Sequence, residues 1–372
     1  MIKIREVSSK RDQREFLNFP LRLYQDEPNF VPPLYGDEKK IFRPDYIYYD
    51  TSEAVYFLAE EDGKTVGRIS GILQKASNEK RGEKRIRFTR FDAIDRQDVA
   101  DALFKALEEW GRSKGMEEVC GPLGFSDLER EGLLVEGFEY LATFEEQYNF
   151  PYYGKLIENC GYAKEVDWNE SRIQPDPEYI EQMDRLGKKM MDRYKLHFGE
   201  AKNINEFINR YADKVFQLID SSYAKLYGTV DLTEGMKNML IDNFRMIIKM
   251  DFVGILLDED ENPVAFGLCF PSIAGALVGS GGHLYPWTLV KLLKAINHPK
   301  VIDLGLIGVD PSWANRGVSV IICAMMNHML IDRGIEYAET NLNLEDNFAI
   351  QNQWKRFKRQ IHKRRRSYIK KI

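Results

Sequence analysis

The stretch that most constrains the fold runs from Val301 to Leu330. Val301 to Val309 is β-rich and mostly apolar, as a strand covered on at least one face should be. Asp310-Pro311-Ser312-Trp313-Ala314-Asn315-Arg316-Gly317 ends it, because Pro311 has no N–H to give to a ladder. Val318 to Leu330 then lacks a polar face, which predicts a buried helix. A strand that turns sharply into a helix aims unpaired backbone N–H groups, and the positive end of the helix dipole, at one point. That is an anion site suited to a pyrophosphate.

At 372 residues the chain exceeds one typical core and predicts two domains. The first half reads as a strand (Met1–Val7), a helix near Ser9–Leu17, and two strands around Glu61-Asp62-Gly63-Lys64. A charged loop (Asn78–Lys84), the strand Arg85–Phe91, a helix through Val99, Leu103, Leu107 and Trp110, the strand Glu118–Leu123 and a helix ending at Gly161 follow. Glu170 to Asp192 reads as a linker that contains Pro175-Asp176-Pro177 and then a charged helical segment with little apolar face. The second half repeats the order. Lys195–Glu200 is a strand, Ile204 to Ile219 and Met236 to Ile248 (through Phe244) are helical stripes, and Phe252–Phe270 is a hairpin. A Gly-rich Gly275–His283 segment and a Trp287–Ile296 helix are inserted before the focal strand. After the focal helix come the strand Glu336–Leu342 and a last helix from Phe348 to Phe357. The boundaries are 1–170, 171–193 and 194–372. The expected class is α+β (α/β three-layer), two lobes each with a mixed, mostly antiparallel sheet flanked by helices.

Cys120, Cys160, Cys269 and Cys323 form no C-x-x-C pair, and five scattered histidines have no ligand spacing, so no metal is expected. No run approaches the roughly 18 apolar residues of a membrane span, and the first residues alternate like a strand rather than a signal peptide. A cytoplasmic protein with no membrane partner is the expectation. Charge is unevenly placed. Of 53 Lys and Arg, ten fall between Lys355 and Lys371, where none of the 58 Asp and Glu occurs. That run either tracks nucleic-acid phosphates or docks on the acidic remainder of the chain.

Val309-Asp310-Pro311-Ser312-Trp313-Ala314-Asn315-Arg316-Gly317-Val318-Ser319 resembles the GNAT acyltransferase superfamily, which carries V-x-P-x-x and then Q/R-x-x-G-x-G/A around an acyl-CoA pyrophosphate. Val309, Pro311 and Gly317 match; Ala314 and Ser319 depart. The resemblance implies two GNAT-like lobes and acetyl-CoA or another acyl-CoA as cosubstrate. It implies cofactor-binding backbone at Val309, Asn315, Arg316, Gly317, Val318 and Ser319, and Asn347 beside the pantetheine arm. The first lobe has Asp95-Arg96-Gln97-Asp98 at the equivalent turn, whose carboxylates repel a pyrophosphate.

Acyl transfer to an amine needs a base, a polarised carbonyl and a proton for the leaving thiolate. The family supplies the last from a Tyr in the final helix, and the equivalent positions here are Trp354 and Ile157. Glu339 is the candidate base and Tyr368 the candidate acid. Against these roles stand a solvated Glu339, an Asp303 exposed at its strand's start, and an incidental His283 in a flexible hairpin. The sequence therefore points to an N-acyltransferase for a small amine or amino-acid-like acceptor. A non-catalytic CoA sensor and an RNA-binding or aminoacyl-tRNA-dependent tandem GNAT module are the alternatives.

Overall fold

Local chemistry starts the first helix: Ser9 accepts from the Asp12 N–H at 3.2 Å, and Asp12 reaches back to the Ser9 N–H at 3.0 Å. In the computed structural model residues 1–245 and 247–372 are described, and the side chain of Phe244 lies outside the described residues. Two units divide the chain. The first comprises Met1–Asn169, Ile273–Leu292 and Lys363–Ile372; the second comprises Glu170–Ser272 and Leu293–His362. Residues 273–292 and 363–372, assigned from sequence to the C-terminal lobe, thus group with the first unit.

The order begins β1 (Lys3–Glu6), α1 (Lys10–Leu23), α2 (Tyr35–Glu38), β2 (Ser52–Glu61), β3 (Lys64–Gln74) and α3 (Lys75–Arg81). It continues β4 (Arg85–Ala93), α4 (Gln97–Ser113), β5 (Glu118–Gly121), β6 (Leu133–Glu136), α5 (Tyr153–Asn159) and β7 (Ala163–Pro175). Then come α6 (Pro177–Tyr194), β8 (His197–Phe198), α7 (Ile204–Tyr223), α8 (Glu234–Arg245), β9 (Val253–Leu257) and β10 (Pro263–Pro271). The rest is α9 (Ala274–Leu277), α10 (Pro286–Asn297), β11 (Val301–Val309), α11 (Ser319–Asp332), β12 (Tyr337–Thr340), β13 (Asn343–Leu344), α12 (Phe348–Trp354) and β14 (Phe357–Lys371).

In the first unit β1 to β4 form an antiparallel run, β4 pairs β5 in parallel at Arg85–Arg87, and Tyr368–Lys371 of β14 pair β5 antiparallel. The β2–β3 hairpin turns through Asp62 and Gly63, both at positive φ, as a two-residue turn between twisted strands demands. In the second unit β8 to β11 are antiparallel, β11 pairs β12 in parallel, and β12 pairs β7 antiparallel. Within each unit the strand pairing is therefore mixed and mostly antiparallel, with helices flanking it.

The core of the second unit explains why α11 has no polar face. Val320, Ile322, Cys323, Met326 and Leu330 are buried in one cluster with Ile302, Leu304 and Ala338 of the sheet. The other side of α11 meets α6, whose Met183 is 1% exposed and whose Gly187 lets Ile321 approach. Residues 177–194 are thus a helix packed into this core. Asp176 caps α6 at the Glu178 N–H, with Pro177 at its first position.

Candidate active site

The parallel register between β11 and β12 covers only Val301–Leu304 against Tyr337–Thr340. A bulge at Gly305 shifts the β10 register between Leu268 and Cys269, and past it β11 leaves β12 and a V opens. Bulges bend a strand and end its pairing with a neighbour. Gly305 sits where a Cβ would be 2.9 Å from the Phe270 ring. Alternation then turns the N–H and C=O of Gly305, Ile307 and Val309 into the V. The partners agree with this. Asn341 Nδ2 donates to the Gly305 carbonyl at 3.2 Å, and the Asp310 N–H, one residue past Val309, donates the opposite way to Val264 at 2.9 Å.

The Tyr223 hydroxyl, on the last residue of α7, fills part of the V. It accepts from the Ile307 N–H at 3.2 Å and donates to the Ile307 carbonyl at 2.8 Å. It therefore stands where a carbonyl oxygen would meet the splayed strand. Sequence reading missed Tyr223, although it lies four residues beyond Ile219 in the same helical stripe.

At the mouth of the V, Asn315 and Gly317 take positive φ and swing the chain into α11. The Arg316 N–H is already committed to the Trp313 carbonyl at 3.2 Å. Among the described residues no hydrogen bond engages the N–H groups of Gly317, Val318 and Ser319. These three begin the helix, so they hold the partial positive charge of its N-terminus. The Arg316 guanidinium lies 4.8 Å over the Trp313 ring. Asp310 is turned away, accepting from the Ser312 N–H at 2.8 Å and the Ser312 hydroxyl at 2.6 Å. The rim is a set of backbone donors without a hydrogen-bond partner among the described residues, with the Arg316 cation beside it.

Below the V, Asp303 and Glu339 face each other in register. Both are buried, at 0% and 5% exposure, which corrects the expectation of a solvated Glu339 and a surface Asp303. Glu339 meets His362 Nε2 at 2.7 Å and Arg172 at 3.8 Å. Burial, and then the Asp303 carboxyl, push the neighbouring Cys269 thiol up to about 12. A buried carboxylate beside an imidazole can take up and pass on a proton.

The other predicted residues lie elsewhere. Asn347 caps α12 by accepting from the Ile350 N–H at 3.3 Å. Trp354 is core, its indole N–H donating to Asn343 at 2.7 Å. Tyr368 belongs to the first unit, where its hydroxyl donates to Glu158 at 3.5 Å, and burial pushes its pKa up to about 12. His283 stacks on Tyr35 with ring centroids 4.4 Å apart.

The corresponding opening in the first unit is filled by its own side chains. Ala93, at the end of β4, gives its N–H to the Tyr153 hydroxyl at 3.0 Å, and its carbonyl accepts from Tyr152 at 2.8 Å. Tyr24 joins Tyr153 and Asp92 at 2.8 Å each. At the turn into α4, Arg96 is held by Glu61 and by Asp98. The basic C-terminal residues are also engaged within this unit: Arg366 binds Asp167 at 2.8 Å and Lys370 binds Glu108 at 2.7 Å. Lys363 and Arg365 are buried.

This arrangement is that of the tandem GNAT fold. The chain aligns over its whole length with a tandem GNAT protein from the clavulanic acid biosynthesis pathway, covering 98% of it, at a TM-score of 0.55 and 11% identity. It aligns likewise with a GCN5-related N-acetyltransferase from Sphaerobacter thermophilus, covering 95%, at 0.53 and 12%. Among curated proteins it is 27% identical to protein YghO of Escherichia coli (strain K12), over 99% of this chain and 95% of that one. It is 25% identical to the bacterial ceramide synthase of Caulobacter vibrioides, over 92% and 91%. No family model matches the chain.

Proposed function

We propose that the protein is an acyl-CoA-dependent N-acyltransferase that works in the V of its second unit. The observation that carries this is the bulge at Gly305, which frees strand backbone beside the three open N–H groups of Gly317, Val318 and Ser319. Those groups suit the pyrophosphate of a coenzyme A thioester. The thioester supplies an activated carbonyl. The chain supplies the rest: the N–H of Val309 holds the developing oxyanion, Glu339 with His362 draws the proton from the attacking amine, and the Tyr223 hydroxyl protonates the departing thiolate. The carbon–nitrogen bond forms as the carbon–sulfur bond breaks. The acceptor is an amine. A ceramide is the amide of a long-chain amino alcohol, so the Caulobacter relative's name adds lipid amines to the acceptors to be screened.

Thermal unfolding with acetyl-CoA and longer acyl-CoAs tests the reading. A ligand at 100 times its Kd stabilises the folded state by about 2.7 kcal/mol. No rise in melting temperature at millimolar acyl-CoA would end the proposal. Binding without turnover across an amine panel would reduce it to a CoA-binding protein.

A further inference from the structure

The segment ahead of β11 is not used by the chemistry above, and its surface is unlike the rest of the molecule. Six of the ten large apolar side chains exposed among the described residues fall between Leu284 and Leu293. Val290 is 66% exposed, Trp287 61% and Leu293 58%. Singly placed apolar residues on a surface need no explanation, but a contiguous group marks an interaction site. Thr288 is the one buried residue of α10 and fixes its inward side. At 100° per residue Leu289, Val290 and Leu293 then form one outward sector, with Lys294 and Trp287 along its edge and Lys291 further round the helix. The Tyr285 and Trp287 rings stack at 4.8 Å beside it.

Charge says what covers this face. From Asn262 to Ile302 the chain has no Asp or Glu, although its net charge is −5. Lys291, Lys294 and Lys300 are the fixed charges there, and Lys249 reaches the end of α10 through Asn297 at 2.8 Å. A second copy of the same face would oppose lysine to lysine, with no carboxylate in the segment to relieve it. An anionic lipid surface satisfies both properties. Its headgroups pair with lysines, its acyl boundary takes Leu, Val and Trp, and Trp and Tyr favour the boundary itself.

We propose that α10 docks the protein on an anionic bilayer, lying in the plane of the headgroups with Leu289, Val290 and Leu293 entering the acyl boundary. No helix of the described residues is long and apolar enough to cross a membrane, so the contact is peripheral. It does not depend on the acyl-transfer chemistry, and it places the protein where an amphiphilic amine would be held.

Flotation of the full-length protein with phosphatidylcholine vesicles, with and without phosphatidylglycerol, tests this. We expect flotation with the anionic vesicles, weakening as salt rises. Val290→Asp with Leu293→Asp should lower partitioning at least about tenfold. Lys291→Glu with Lys294→Glu should abolish the dependence on phosphatidylglycerol. These positions are exposed, so melting temperature and any acyl-CoA shift should be unchanged, which separates this test from that of the proposed activity. Failure to float on anionic vesicles, or flotation that survives the Val290→Asp/Leu293→Asp change, overturns the proposal. So does a dimer in vesicle-free solution that this double variant converts to monomer, because the face would then belong to a second copy.

Discussion

Tyr223 and Glu339 are the residues on which the proposed chemistry turns, and each is reached differently from the sequence. Glu339 was legible as a polar residue on the strand beside the focal one. Its burial was not, because whether a strand face is covered depends on elements far away in the chain. Tyr223 was visible only as the continuation of an apolar stripe, and its hydroxyl acquires meaning once Ile307 is seen to be splayed. Tyr223→Phe should lower kcat by about a hundredfold or more, the usual contribution of a positioned acid, while the acyl-CoA melting shift persists. Equal loss of both would assign the ring to packing instead. In the first unit, burial alone would raise the Glu38 carboxyl, but the guanidinium of Arg90 holds it down at about 2, against 4.5 in the free side chain. A carboxyl so depressed stabilises the fold above its unfolded value, and that stability is lost as pH falls towards 2. Glu38→Gln should therefore cost up to about 3 kcal/mol near neutrality, with the gap to wild type closing in acid, as read from urea midpoints across pH.

Elements were most legible where a single period dominates. The strand, turn and helix of 301–330, the 61–64 hairpin and the α4 stripe all follow from local pattern, because strand alternation, turn residues and a 3.6 period are local properties. α6 is legible as a charged helical segment, but its buried stripe is not, for the opposite reason. Tyr179, Met183, Leu186 and Met190 recur at helical spacing, but charged neighbours on both sides dilute the stripe. The helix is held mainly by its packing on α11. Met183→Ala should cost about 3 kcal/mol, the range for truncating a large side chain in a core, measured by chemical denaturation. A true linker would tolerate it. α3 was read as a loop for want of a hydrophobic face, and in the structure a left-handed Gly82 ends it.

Across the molecule, charge and chain order are decided together in β14. Ten basic residues in a row of seventeen allow either nucleic-acid binding or docking on acidic residues, and in the strand that most of them form Arg364, Arg365, Arg366 and Lys370 each meet a carboxylate. RNA binding measured against salt should accordingly show a shallower dependence than ten free cations would give, since Arg364, Arg365, Arg366 and Lys370 are already paired. The duplicated element order was readable without any repeat in sequence, whereas the exchange of segments between units was not, because no local pattern records which sheet a late strand will join. A fragment of residues 1–169 should lack a cooperative melting transition by circular dichroism, and adding a peptide of residues 357–372 should restore part of it. The same strand sets a timetable for synthesis. Residues 368–371 pair with β5 some 250 positions earlier, so as the nascent chain emerges the first unit waits, its sheet edge uncovered, until the whole second unit has left the ribosome. Chaperone capture of ribosome-bound chains should then fall late in translation rather than at its midpoint.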